Sequence, residues 1–167
     1  PSSDDYMTSE FQAVVDVSVG GEENAVNVSV DFMTSADEID ERVDRGQASY
    51  AIVISCRETF LRDVYRTQSK TLHAKFRAGT FKGEVVVQPY VTVEETIDDF
   101  SSVDINPEFG SGPFSFRRGQ ILAMDEPNVF YIDRDLFRPI TSVFELVKDE
   151  THSSGQWTVR LEEDHVQ

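Results

Sequence analysis

Two spacings of apolar residues organise most of the chain. Residues 25–32 alternate without interruption: Val26, Val28, Val30 and Phe32 fall on one face, Asn27, Ser29 and Asp31 on the other. Side chains of a strand point to opposite faces in turn, so this run predicts a half-buried strand. A Val-rich run over residues 11–19 predicts a strand before it. The polar Gly20-Gly21-Glu22-Glu23-Asn24 between them reads as a hairpin loop, which makes the pair antiparallel. Residues 49–59 hold the aliphatic run Ala51-Ile52-Val53-Ile54 and predict a central strand covered on both faces. Residues 60–65 either continue that strand or make a helical turn. Residues 70–77 alternate again, with Leu72, Ala74 and Phe76 inward and Thr71, His73, Lys75 and Arg77 outward. Gly79 and Gly83 bracket a turn. Residues 84–93 form another strand, in which Pro89 predicts an edge position or a bulge because it donates no ladder hydrogen bond.

One segment carries helical signals instead. Ser35-Ala36-Asp37-Glu38 matches a capping box, in which Ser35 and Glu38 satisfy each other's free backbone donors. Acidic residues follow at the positive end of the helix dipole, and Arg42 and Arg45 lie near its negative end. Ile39 and Val43 give a narrow apolar stripe, and Gly46 fits a C-terminal cap. A short capped helix is therefore expected at about residues 35–45.

The pattern lapses over residues 94–113. A gap of that length is unusual in a compact domain, so it is functional, mobile or hides an element. Short strands are expected at 114–116, 120–124, 129–132, 142–147 and 156–161, the last with Trp157, Val159 and Leu161 on one face. Residues 1–8 are polar and expected to be disordered. Residues 9–167 read as a single β-rich domain. The predicted fold class is α+β, mostly β: a twisted antiparallel sheet closing toward a barrel or sandwich, with the helix over one end.

Composition agrees with a folded chain. The 167 residues fit one domain, and 39% hydrophobic and 11% aromatic content is too apolar for a disordered one. No apolar stretch is long enough to span a membrane, and no signal-peptide pattern is present, so a cytoplasmic location is expected. The chain starts at Pro1 and stops just after an apparent strand, which reads as a piece of a longer protein. The single cysteine, Cys56, excludes an internal disulfide and reads as a small buried hydrophobe.

Motif chemistry is sparse. Gly79-Thr80-Phe81-Lys82-Gly83 is not a phosphate-binding loop, and no nucleophile elbow or zinc-protease motif occurs. His73, His152 and His165 are not spaced as metal ligands. Asp133 and Asp135 flank Arg134, and with Glu145 they are weak candidates for a divalent metal. Glu145 and Lys148 fall on opposite faces of a regular strand, which counts against a joint site. No cofactor is implied.

Charge changes this picture more. The chain is strongly acidic, at −16. Yet Arg57, Arg62, Arg66, Lys70, Lys75, Arg77 and Lys82 stand against only Glu58 and Asp63. That segment carries +5 in a chain whose remainder carries −21. With His73 on the outward face, and Phe60 and Tyr65 nearby, these residues suit an acidic partner or a single-stranded nucleic-acid backbone. Pairing with the chain's own acids is the simplest use. The acidic background opposes nucleic acid.

The function expected from sequence is therefore a non-catalytic binding or assembly module, a domain or subunit of a larger complex. It would dock a protein partner, or itself, through residues 57–82. The alternatives are a metal-dependent enzyme using scattered carboxylates, and a nucleic-acid binder or acidic nucleic-acid mimic. No membrane association is expected.

Overall fold

A computed structural model describes residues 6–20, 25–110 and 112–132. The chain divides into two compact units, Pro1–Phe137 and Arg138–Gln167, and every described residue belongs to the first. The strands expected at 142–147 and 156–161, and the candidates Asp133, Asp135 and Glu145, lie outside the described residues.

The clean alternation of residues 25–32 becomes β2 (Ala25–Thr34), which pairs antiparallel with β1 (Phe11–Gly20) in unbroken register, Phe11 opposite Thr34 through to Gly20 opposite Ala25. On its other side β2 pairs antiparallel with β5 (Thr71–Phe76), closing a three-stranded sheet of order β1-β2-β5. A larger sheet is built on β3 (Ala48–Cys56), which lies between β4 (Leu61–Thr67) and β6 (Gly83–Val93). Two short strands, β9 (Ile121–Met124) and β10 (Asn128–Ile132), pair with different parts of β6. Among the described residues all pairings are antiparallel, and the sheets do not close into a barrel.

The inner faces of these sheets share one apolar core. Val26, Val28, Val30 and Phe32 of β2 are buried, as are Leu72, Ala74 and Phe76 of β5. They join Tyr50, Ile52, Ile54, Val85, Val87 and Val91 from the larger sheet. Each of the larger aliphatic and aromatic side chains contributes roughly 1.5–3 kcal/mol by leaving water. Phe32 stacks on Tyr50 with ring centroids 5.0 Å apart, and Phe11 stacks on both at 6.3 Å. Across the other end, Tyr65 meets Phe76 edge-on at 5.6 Å.

The helix α1 (Asp37–Asp44) buries Ile39 and Val43 against this core. Its start differs from the capping-box expectation. Ala36 is the N-cap and makes no side-chain cap bond. The Ser35 hydroxyl instead accepts the Glu10 N–H at 2.8 Å, because the end of the β1–β2 ladder lies beside it. The C-terminus is as expected. Gly46, at φ 73°, lets the Gln47 N–H reach the Arg42 carbonyl and the Gly46 N–H reach that of Val43, each at 2.9 Å.

Two other expectations change, and one resolves among its alternatives. Residues 60–65 neither extend β3 nor form a helical turn: the chain reverses over residues 57–60 and returns as β4, pairing Cys56 with Leu61. Pro89 sits in an interior strand rather than at an edge. It faces Ile52 on one side, and on the other it lies between the last residue paired with β10, Val87, and the first paired with β9, Tyr90. Its carbonyl accepts the Asp125 N–H on that side, so its missing donor points at the junction and costs no ladder bond. The gap over 94–113 hides β7 (Ile97–Phe100), which pairs with β8 (Phe114–Phe116) and buries Phe100 edge-on against Phe116.

Residues 6–8, expected to be disordered, are tied to this region. Tyr6 bridges Ile105, and the Met7 N–H donates to the Asp104 carbonyl. The Asp104 carboxylate accepts bonds from the backbone of Ser9 and from the hydroxyl of Thr8, the latter at 2.7 Å. These donors hold its pKa down at about 2. An unfolded Asp titrates at about 4, so the stabilisation is complete above that pH and is lost as pH falls through about 2. Asp104→Ala should lower the urea midpoint at neutral pH, and the gap to the wild type should narrow steadily below about pH 4. A gap constant down to acid unfolding would disprove this role.

Candidate functional site

The eight residues expected to form one docking segment are all exposed, but the fold separates them. Arg57 lies in the turn before β4. Arg62 and Arg66 alternate with core-facing Leu61 and Tyr65, so they project from the outer face of the larger sheet, beside Ser55 and Ala51 of β3. Lys70 sits in the connection to β5. His73 and Lys75 project from the outer face of the smaller sheet, opposite Ser29 and Asn27 of β2. Arg77 and Lys82 bracket the turn before β6. The two outer faces lie on opposite sides of the shared core, so the sequence-contiguous +5 is not a contiguous surface.

Two members are already paired. Arg66 Nε lies 3.4 Å from Glu94, and Lys70 Nζ lies 2.6 Å from Asp40. Asp40 also accepts the hydroxyl of Tyr50, whose pKa is pushed up by burial and then by that bond, so the phenol keeps its proton. Arg57, Arg62, Lys75, Arg77 and Lys82 make no ion pair among the described residues. Tyr65, a candidate base-stacking neighbour, faces inward onto Phe76.

The outer face of the smaller sheet holds a shallow depression of about 240 Å³, whose lining includes Asp16, Ser18, Asn27, Ser29, His73 and Lys75 beside Val28 and Ala74. Short side chains at its centre leave the space. Asp16, Ser29 and His73 share one cross-strand row, but Ser29 stands in the middle. A nucleophile-activating arrangement would put the imidazole between hydroxyl and carboxylate. Among the described residues no group of three or more His, Cys, Asp or Glu side chains is placed to hold a metal. Cys56 is buried, with its Sγ 3.1 Å from the Lys82 carbonyl.

The outer face of the larger sheet is different in kind. Register places Val64, Val53 and Gln88 in one row, and Arg62, Ser55, Val86 and Val129 in the next. Arg66, Ala51, Tyr90 and Met124 form a third. Tyr131 neighbours Glu84 beyond them. Tyr131 is 75% exposed, Met124 60% and Val129 59%. At the Arg62 end stands Phe60, which is 94% exposed and has a φ of 54°. That conformation is unusual for a bulky residue and normally belongs to Gly or Asn.

Sequence reasoning named Phe60 only as a neighbour of the basic segment, and passed over Met124, Val129 and Tyr131. Its missed signal lies in β9 and β10. Ile121-Leu122-Ala123-Met124 and Val129-Phe130-Tyr131-Ile132 are apolar at every position. Such strands at the side of a sheet must show apolar residues on the face away from the core.

The charge contacts separate the basic residues by stability. Arg66→Glu and Lys70→Glu, which set like charges beside Glu94 and Asp40, should each cost about 1 kcal/mol in urea unfolding. Arg62→Glu and Lys75→Glu should stay within about 0.5 kcal/mol. Equal costs for all four would overturn the assignment. Comparison with protein-family models, curated proteins and solved structures finds no match, and the site is defined by its own geometry and chemistry.

Proposed function

We propose that the chain is a non-catalytic binding module that docks a protein partner on the outer face of its larger sheet. The observation that carries this reading is Phe60, an aromatic side chain fully presented to solvent from a left-handed backbone position. Non-glycine residues in that region cost about 1 kcal/mol or more. A bulky aromatic held there gains no burial to offset the cost, so the gain is made elsewhere, on binding. Buried aromatics and arginines dominate interface energetics. Phe60 and Tyr131 serve as apolar anchors at one end of the face, and Val129 and Met124 extend it. Arg62, exposed and without an ion pair among the described residues, faces a carboxylate on the partner. The partner surface is thus apolar with acidic residues at its border. The basic segment contributes through Arg57 and Arg62, while His73 and Lys75 belong to the opposite side.

The test uses opposite signs of effect. Phe60→Asn should raise unfolding stability, by up to about 1 kcal/mol, since Asn tolerates the left-handed region. The same change should weaken partner binding at least tenfold, as expected for a hot-spot aromatic. Crosslinked partners captured from an extract of the source cells by the wild type would be purified and titrated calorimetrically against both forms. Undiminished affinity for Phe60→Asn would sink the proposal, and so would a loss of stability.

A further inference from the structure

The long edge of β1, unpaired among the described residues, is a separate feature, on the other sheet. The Glu10 carbonyl accepts the Ser35 N–H, so even-numbered residues of β1 turn their backbone groups toward β2. Odd-numbered residues turn theirs outward, and the Ala13 N–H indeed leaves the sheet to donate to Asp125 Oδ2 at 2.8 Å. Beyond Ala13, the N–H and C=O groups of Val15, Val17 and Val19 have no partner among the described residues. This stretch has none of the devices that close an edge: its register is unbroken, it contains no proline or lysine, and Asp16 is its one charge. The inward side chains at this edge are incompletely covered. Val15 and Val17 touch the core but are only half-buried, and Val19 is exposed.

We infer that β1 is a self-pairing edge, and that two copies of the chain join their smaller sheets through antiparallel β1–β1′ contact centred on Val17. Self-pairing follows from the symmetry of the free run. Centred on Val17, the outward-turned residues pair as Val15 with Val19′, Val17 with Val17′ and Val19 with Val15′. Every free backbone group of the run is then bonded. On the inner side three valine pairs cover the uncapped edge of the core. On the outer side Asp16 faces Ser18′ and Val14 faces Gly20′, so no like charges meet. Centring on Asp16 would set two carboxylates face to face and would require the Ala13 edge that Asp125 occupies. Centring on Ser18 leaves the outward groups of Val15 without a described partner. A different protein strand would gain the same backbone bonds but has no reason to match this spacing of valine, aspartate and serine.

The acidity of the chain opposes such a dimer over long range, so it should tighten as salt screens the repulsion. This contact and the Phe60 face use different sheets, and either can fail without the other. Sedimentation over a broad concentration series, at low and at high salt, should show a monomer–dimer equilibrium. Val17→Pro removes an edge donor and no β1–β2 bond, and should give a monomer. Ser18→Lys should tighten the dimer about threefold to tenfold by facing Asp16′ twice, and Ser18→Asp should weaken it by a similar factor. Gln12→Lys makes the same net charge change outside the paired run and is the control. A wild type that stays monomeric at high salt overturns the proposal, as does a dimer untouched by Val17→Pro. Equal effects of Ser18→Lys and Gln12→Lys would overturn the register.

Discussion

The stack of Phe32 on Tyr50 is the contact on which the rest of this unit depends. Phe32 closes the inward row of β2, and Tyr50 lies on the core face of β3. Their overlap sets how the two sheets face one another. The Tyr50 hydroxyl then reaches Asp40 on α1, and Asp40 reaches Lys70 at the passage from the larger sheet to the smaller. One aromatic pair and two polar contacts thus tie both sheets, the helix and the crossing chain together. A polar group this close to the core is tolerable because each partner is satisfied. The outer faces are positioned by the same contact, since a strand that buries one face commits its alternate residues to the other.

Much of this was legible in the sequence where one local rule and the tertiary environment agree. The alternation of β2 and β5, the central place of β3 in its sheet and the glycine ending α1 are of this kind. The failures share a physical cause, which is competition from residues distant in sequence. Ser35 has the right side chain for capping, but its hydroxyl accepts the Glu10 N–H, just before β1, instead. Pro89 is compatible with an interior strand only because β9 and β10 leave a junction opposite it. β7 is short and acidic at its centre, Asp98-Asp99, so its pairing with β8 has little periodic signature.

The charge map illustrates a further limit. Residues 57–82 are basic as a string, but the string crosses from one sheet to the other within a few residues. Adjacent basic residues are thereby sent to opposite sides of the core, and Arg66 and Lys70 find acids from elsewhere. Charge that is segregated along the chain becomes dispersed in space. The surface that does concentrate unusual chemistry, around Phe60 and Tyr131, is assembled from a turn and a late strand separated by about seventy residues. Only the all-apolar character of β9 and β10 hinted at it.

Pro89 also governs how the larger sheet comes apart. By accepting but not donating at the junction, it divides the outer ladder of β6 into two blocks, one held by β9 and one by β10. Neither block needs the other's hydrogen bonds to stay formed. In hydrogen-exchange terms they are expected to open as separate units on a common β3–β6 base. The side of the sheet that shows Met124 and the side that shows Tyr131 and Val129 would then loosen on their own schedules. Such a surface would yield in two parts while the core beneath it keeps its packing.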